Sequence, residues 1–183
     1  MQAFVIIALG SNQRHGRHGA PVGVVRAALA ALAVAGLSVD AVSKLRATAP
    51  VGPKQRGYVN AAVRGTTALG PAALLAVLHR IEAGFGRKRR RKWGARVLDL
   101  DLIAYGSIIS DQPGLRLPHP QMHLRTFVLD PVCDVCPDWR HPRLRLTARQ
   151  LRARLTRPSP VRRETPAPWG LVAQSVEQRT FNL

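Results

Sequence analysis

The sequence predicts an α+β fold, a ferredoxin-like α/β sandwich in which helices pack on one antiparallel-rich sheet. Three observations predict it. Apolar runs of strand length and apolar stripes of helix length follow one another as β-α-β, β-α-β. Gly and Pro punctuate the joints between them. Apolar residues make up 46% of the 183 residues, enough for one core of ordinary size. Residues 1–156 are expected to form that single domain. Residues 157–183, with four prolines and no periodicity, are expected to be a disordered tail.

The elements follow in order. "AFVIIAL" (3–9) reads as a buried strand that ends in a turn at Gly10-Ser11-Asn12. From Val24 to Leu37 the residues Val25, Leu29, Leu32 and Leu37 recur at roughly helical spacing, with Gly36 near the end. Residues 38–47 and 58–67 read as strands, joined by the Pro- and Gly-rich loop "TAPVGPKQRG". Gly70-Pro71 opens a second helix, whose apolar face is Leu74, Leu78, Ile81 and Phe85. Residues 97–105 read as a strand. The proline-punctuated stretch after it is expected to hold a loop, a helical turn through 122–129 and another short turn before Pro137. Thr147 and Gln150 have capping-box spacing for a last helix, "ARQLRARL".

Charge narrows the function. The formal net charge is +18, which admits nucleic acid, a membrane surface or phosphorylated small molecules as partners. Two cysteines, Cys133 and Cys136, make no disulfide framework. "MQAFVIIALGSNQ" lacks the basic start of a signal peptide, and no apolar stretch reaches the length of a membrane span, so a cytoplasmic protein is expected. Neither G-x-x-x-x-G-K-[ST] nor G-x-S-x-G occurs.

The chemistry concentrates in "RKRRRKWGARVLDLDLIAYG" (87–106). In a strand, residues two apart share a face, so Asp99 and Asp101 project together while Leu98, Leu100 and Leu102 face the other way. Two carboxylates so close raise one pKa unless a cation joins them, and Mg²⁺ suits one or two carboxylates completed by water and phosphate oxygens. Upstream, Arg87, Lys88, Arg89, Arg90, Arg91, Lys92 and Arg96 carry seven positive charges with no acid among them. Such a run by itself fits a solvated surface or a nucleic-acid-binding module. Beside D-x-D it favours a nucleoside polyphosphate with magnesium. Trp93 is placed to stack on a planar ring. His119, between two prolines, can contact a phosphate, or stand as a surface histidine without a role. His119, His123, Cys133 and Cys136 also admit a zinc site, against the commoner reading of the cysteines as buried hydrophobes.

These segments resemble a known family, the 2-amino-4-hydroxy-6-hydroxymethyldihydropteridine pyrophosphokinases. The resemblance rests on "ALGSN" (8–12), "TAPVGP" (48–53), "YVNAAV" (58–63), "RIE" (80–82), the 86–106 segment, "LPHPQMHLRTFVLDPV" (117–132) and "PDWRHP" (137–142). It implies transfer of the β,γ-diphosphate of ATP to 6-hydroxymethyl-7,8-dihydropterin in folate biosynthesis, with release of AMP. It implies two Mg²⁺ on Asp99 and Asp101, and Arg87 and Arg96 among the catalytic residues. ATP contacts are implied for Glu82, Arg89, Lys92, Trp93, Arg96, His119 and Arg125. Pterin contacts are implied for Thr48, Ala49, Val51, Tyr58, Asn60, Trp93 and Phe127, with Tyr58 and Phe127 sandwiching the ring. A monomer that needs no nucleic acid or membrane is expected. The chain departs from the family at Lys92, where Arg is common; at His79, where Gln is common; at the short basic loop 54–57; and at Gly114, where some members carry Arg.

Overall fold

In the computed structural model, residues 2–48, 57–86 and 96–157 are described. Strand β1 (Ala3–Ser11) leads to helix α1 (Pro21–Val34), then β2 (Ser38–Val42), β3 (Arg46–Thr48) and β4 (Tyr58–Thr67). Helix α2 (Pro71–Gly84) follows, then β5 (Asp99–Tyr105) and a hairpin of β6 (Ser110–Gln112) and β7 (Leu115–Leu117). A 3-10 turn (Met122–Leu124), α3 (Thr126–Val135) and α4 (Ala148–Thr156) close the domain. The main sheet runs β2-β4-β1-β5, with β3 also on β4, and every pairing in it is antiparallel. This is the ferredoxin-like arrangement that the element order predicts.

Local chemistry explains where the elements begin and end. Pro21 and Pro71 stand in the first turns of α1 and α2, where a missing N–H costs nothing. Helix α1 starts and stops three residues earlier than its apolar spacing suggests. Gly36, at φ +91, turns the chain out of the helix; its N–H bonds the Ala33 carbonyl and that of Leu37 bonds Leu32. Leu37 is therefore the buried residue just past a Schellman stop and not part of the helix. The capping box is present: the Gln150 N–H donates to Thr147 Oγ1, and Thr147 N–H to Gln150 Oε1.

Two expectations need correction. The strand expected over 38–47 is two strands, because buried Ser43 interrupts the ladder. Its hydroxyl takes the Ala62 N–H at 2.9 Å while its own N–H bonds the Ala62 carbonyl. The helical turn expected over 122–129 is a 3-10 turn followed by α3, which continues to Val135 in place of a second short turn. Pro131 lies inside that helix, and the burial of Val128, Leu129, Val132 and Val135 carries the helix through it. The β6–β7 hairpin, turned by Gly114 at φ +82, stands in a stretch to which no element was assigned.

The sheet has two unlike faces. Val5, Ile7 and Leu9 of β1, Ala61 and Val63 of β4, and Leu100 and Leu102 of β5 pack under α1 and α2. On the other face Ile6, Ala62, Ile103 and Ala104 meet α3 and α4. No helix among the described residues is long and apolar enough to cross a membrane.

Candidate functional site

On the α3 side, β1 tapers from Ile6 through Ala8 to Gly10 as it nears its end. The antiparallel register lays neighbours across that taper. Gly10 pairs with Asn60 on β4 and with Asp99 on β5, and Ala8 pairs with Ala62 and Asp101. A Cβ at Gly10 would sit 3.3 Å from Asn60 Oδ1 and 3.9 Å from Asp99 Cβ. The small residues thus leave a trough, with an amide on one bank and a carboxylate on the other.

The amide bank comes from β3 and β4. Thr48 pairs with Tyr58 and Arg46 with Asn60, so Thr48, Tyr58 and Asn60 share the trough face. Asn60 is 7% exposed, and its Nδ2 donates to Thr48 Oγ1 at 2.7 Å, which fixes the amide's orientation. Phe127 reaches the same face from the first turn of α3, packed against the cluster that includes Ala8. The two aromatics expected to sandwich a ring therefore come from different layers, Tyr58 from the sheet and Phe127 from the helix over it.

The carboxylate bank is β5. Leu98, Leu100 and Leu102 are buried on the α2 side, so Asp99 and Asp101 turn toward the trough as the period-two reading requires. Burial first, and then the negative charge of Asp99, push the Asp101 carboxyl above the usual carboxylate range, while His119, Arg125 and Arg96 pull it back. Arg96 Nη1 donates to both oxygens of Asp99, at 2.7 and 2.8 Å. Burial disfavours the Arg96 charge, yet Asp99, with help from Asp101 and Tyr58, holds its pKa above the ordinary arginine value. Oxygen donors crowded on one face and drawing in cations fit a magnesium site whose remaining ligands come from water and phosphate.

His119 and Arg125 stand beside this bank. The His119 N–H bonds the Ile103 carbonyl at 2.9 Å, which ties the loop to β5 two residues beyond Asp101. Its Nδ1 accepts from the Gln121 N–H, leaving Nε2 as the ring's second polar atom. Burial lowers the His119 pKa; Asp101 raises it and Arg125 lowers it. Arg125 bonds Gln121 and lies 5.7 Å from the centre of the Phe127 ring.

Glu82, expected at the nucleotide, is 2% exposed, and its Oε1 takes the Leu100 N–H at 2.8 Å. It fixes the backbone between the two aspartates. Ala49, Val51, Arg87, Arg89, Lys92 and Trp93 lie outside the described residues, as does the expected tail from residue 158 onward. Cys136 is buried and donates to the Val132 carbonyl, and burial pushes its thiol up to about 12, the environment of a buried hydrophobe. Gly114 occupies a left-handed turn that an arginine side chain would strain, which accounts for one departure from the resembled family.

Two residues of the site escaped the sequence reading. Strand β1 runs to Ser11 and does not end at Leu9, so Gly10 belongs to the trough floor. Asn12, 1% exposed, accepts the Arg96 N–H on Oδ1 at 2.9 Å and donates its own N–H to the Arg96 carbonyl at 3.2 Å. The signal was present as small residues alternating on one face of a strand and a polar Ser-Asn at its end.

A family model described as 7,8-dihydro-6-hydroxymethylpterin-pyrophosphokinase (HPPK) matches residues 6–137. The chain is 43% identical over 145 residues to the 2-amino-4-hydroxy-6-hydroxymethyldihydropteridine pyrophosphokinase of a Synechocystis species, covering 73% of this chain and 74% of that protein. It is 40% identical to the Haemophilus influenzae protein of the same name, covering 72% and 81% respectively. Among solved structures, Plasmodium falciparum HPPK-DHPS aligns with a TM-score of 0.67 at 13% identity, over 84% of this chain and 43% of that one. At that identity the likeness speaks for the fold.

Proposed function

The chain belongs to the 7,8-dihydro-6-hydroxymethylpterin-pyrophosphokinase family, and we propose that it performs the family's reaction in the trough between Asn60 and Asp99. It is an ATP-dependent pyrophosphokinase of folate biosynthesis. The hydroxymethyl oxygen of the dihydropterin bonds to the β-phosphorus of ATP. The bond from that phosphorus to the oxygen shared with the α-phosphorus breaks, AMP departs with the electron pair, and the hydroxyl proton leaves to solvent.

The trough matches those needs. A flat, polar bicycle requires π faces and an edge partner that both donates and accepts; Tyr58, Phe127 and Asn60 supply them. Diphosphate transfer asks the protein for position and charge above all. His119 and Arg125 offer donors to phosphate oxygens from a loop tied to β5, and Arg96 stands at the head of the same strand. Asp99 and Asp101 are the residues to hold magnesium, which when bound neutralises the polyphosphate and steadies the departing AMP oxygen. Glu82 acts on the site through the Leu100 N–H. The resemblance gives Arg87, Arg89, Lys92 and Trp93 to ATP and its closing loop, and Ala49 and Val51 to the pterin edge. Two magnesium ions, a monomeric state and a cytoplasmic location complete the reading.

The observation that supports it most is the row Asn60–Gly10–Asp99 across three adjacent strands, in which a buried amide and a carboxylate flank a residue without a side chain. The alternative of a nucleic-acid-binding module finds no support in the relatives. The test is AMP release from ATP and magnesium. Release should occur only when 6-hydroxymethyl-7,8-dihydropterin is present; release at the same rate without it refutes the reading.

A further inference from the structure

Arg96 and Asn12 stand in an arrangement that the diphosphate transfer by itself does not explain. One guanidinium nitrogen, Nη1, reaches both oxygens of Asp99, at 2.7 and 2.8 Å. A divalent cation on Asp99 needs the same oxygens. With one guanidinium nitrogen set against both oxygens, the metal and the guanidinium compete for the carboxylate. The backbone beneath the guanidinium, by contrast, is fixed from both sides: Asn12 Oδ1 takes the Arg96 N–H, and the Asn12 N–H reaches the Arg96 carbonyl. Asn12 is 1% exposed, and its Nδ2 finds no acceptor among the described residues. An unpaired buried amide costs stability, and such costs concentrate where a residue serves more than packing.

We infer that Arg96 is the metal's place-holder on Asp99 and that Asn12 is the positioning residue that keeps the main chain still while the Arg96 side chain exchanges carboxylate for phosphate. In the metal-free protein, Arg96 neutralises Asp99 and keeps the carboxylate oriented to the trough. When a metal–triphosphate complex arrives, the cation takes Asp99 and the released guanidinium meets the negative charge that came with the metal. The exchange keeps a cation on the carboxylate at every stage and moves one side chain. It also disfavours metal without nucleotide, because the guanidinium would then lose Asp99 and gain nothing. This inference rests on the assignment of Asp99 and Asp101 as metal ligands.

The test reads metal binding with neither nucleotide nor pterin present, so it stands apart from the AMP-release assay. Mn²⁺ alone is titrated against the full chain and followed by its paramagnetic resonance. Arg96→Gln should tighten Mn²⁺ binding by about tenfold or more, since a direct competitor is gone. Arg125→Gln removes the same charge from the same neighbourhood without freeing Asp99, and should tighten it only a few-fold, by roughly the screened Coulomb effect. Asp99→Asn should abolish the site in either background. Equal effects from the two arginine variants, or no effect from Arg96→Gln, overturn the place-holder role.

Asn12→Ala should tighten Mn²⁺ binding in the wild-type background and do nothing further when combined with Arg96→Gln, because its influence passes through Arg96. Additive effects, or an Asn12→Ala chain that does not fold, overturn the positioning role. If AMP release fails while the Mn²⁺ pattern holds, the pyrophosphokinase reading falls and the exchange at Asp99 stands. The reverse result leaves the reaction and removes the exchange.

Discussion

The two faces of the main sheet are built from the same strands and behave as different materials. Toward α1 and α2, the alternate positions of β1 from Val5 to Leu9 are large: Val5, Ile7 and Leu9, all buried. Toward α3, the alternate positions of the same strand shrink from Ile6 to Ala8 to Gly10. On β5 the contrast is sharper, with Leu98, Leu100 and Leu102 on one side and Asp99 and Asp101 on the other. One face is filled to exclude water along its whole length. The other is filled at one end and emptied at the other, and polar groups stand at the rim of the empty end. The difference teaches that the sealed face supplies the rigidity that lets the tapered face hold carboxylates and an amide at fixed spacing.

The comparison can be broken at chosen points. The largest effect is expected on the tapered face. Asp99→Ala or Asp101→Ala should lower kcat/KM by about a thousandfold or more, or ~4 kcal/mol of barrier, while thermal unfolding stays close to wild type. Retained AMP release would remove the assigned roles. On the sealed face the outcome should invert. Ile7→Ala should cost about 2–5 kcal/mol of stability in urea titrations while kcat per folded molecule holds.

Between the faces sits Glu82. Replacing it by Ala leaves the Leu100 N–H unpaired in a buried place, and about 1–3 kcal/mol should be lost. Glu82→Gln, which keeps an acceptor, should lose less, a difference that calorimetry can read. On the trough floor, Gly10→Ala puts a methyl 3.3 Å from Asn60 Oδ1 and should raise KM for the pterin by about tenfold, with KM for ATP little moved. Equal changes in both would mean that Gly10 does not separate a pterin bank from a phosphate bank.

The smallest effect is expected far from both. His141 is buried, its Nδ1 accepts from the Arg143 and Leu144 N–H groups, and burial, then His123 and Arg143, lower its pKa below 6.5. A depressed value favours the neutral ring in the fold. Its contribution to stability is complete above the unfolded value and lost as pH falls through the folded one. Melting temperatures from about pH 7.5 down to about pH 5 should fall further in wild type than in His141→Asn, which keeps an acceptor but does not titrate.

Much of this was legible because it depends on neighbours along the chain. Asp99 and Asp101 share a face through the two-residue period alone, and Thr147 and Gln150 cap α4 across three residues. What stayed hidden depends on partners far away in sequence. Ser43 breaks a strand only because it meets Ala62, and Pro131 is carried inside a helix only because the sheet buries its neighbours. Asn12 read as a turn residue, since nothing nearby reveals a bond to Arg96 eighty-four positions on. Tyr58, Phe127 and Arg125 were placed through the resemblance. Their spacing alone said nothing of a shared face.

The Glu82 carboxylate has one more consequence. Among the described residues, strand β5 is the last of its sheet, and the backbone of an outer strand invites a strand from another molecule to add itself. By occupying the Leu100 N–H, Glu82 withdraws a rung from that ladder between Asp99 and Asp101. The same bond that braces the aspartates also guards a crowded solution against stacking of this protein edge to edge.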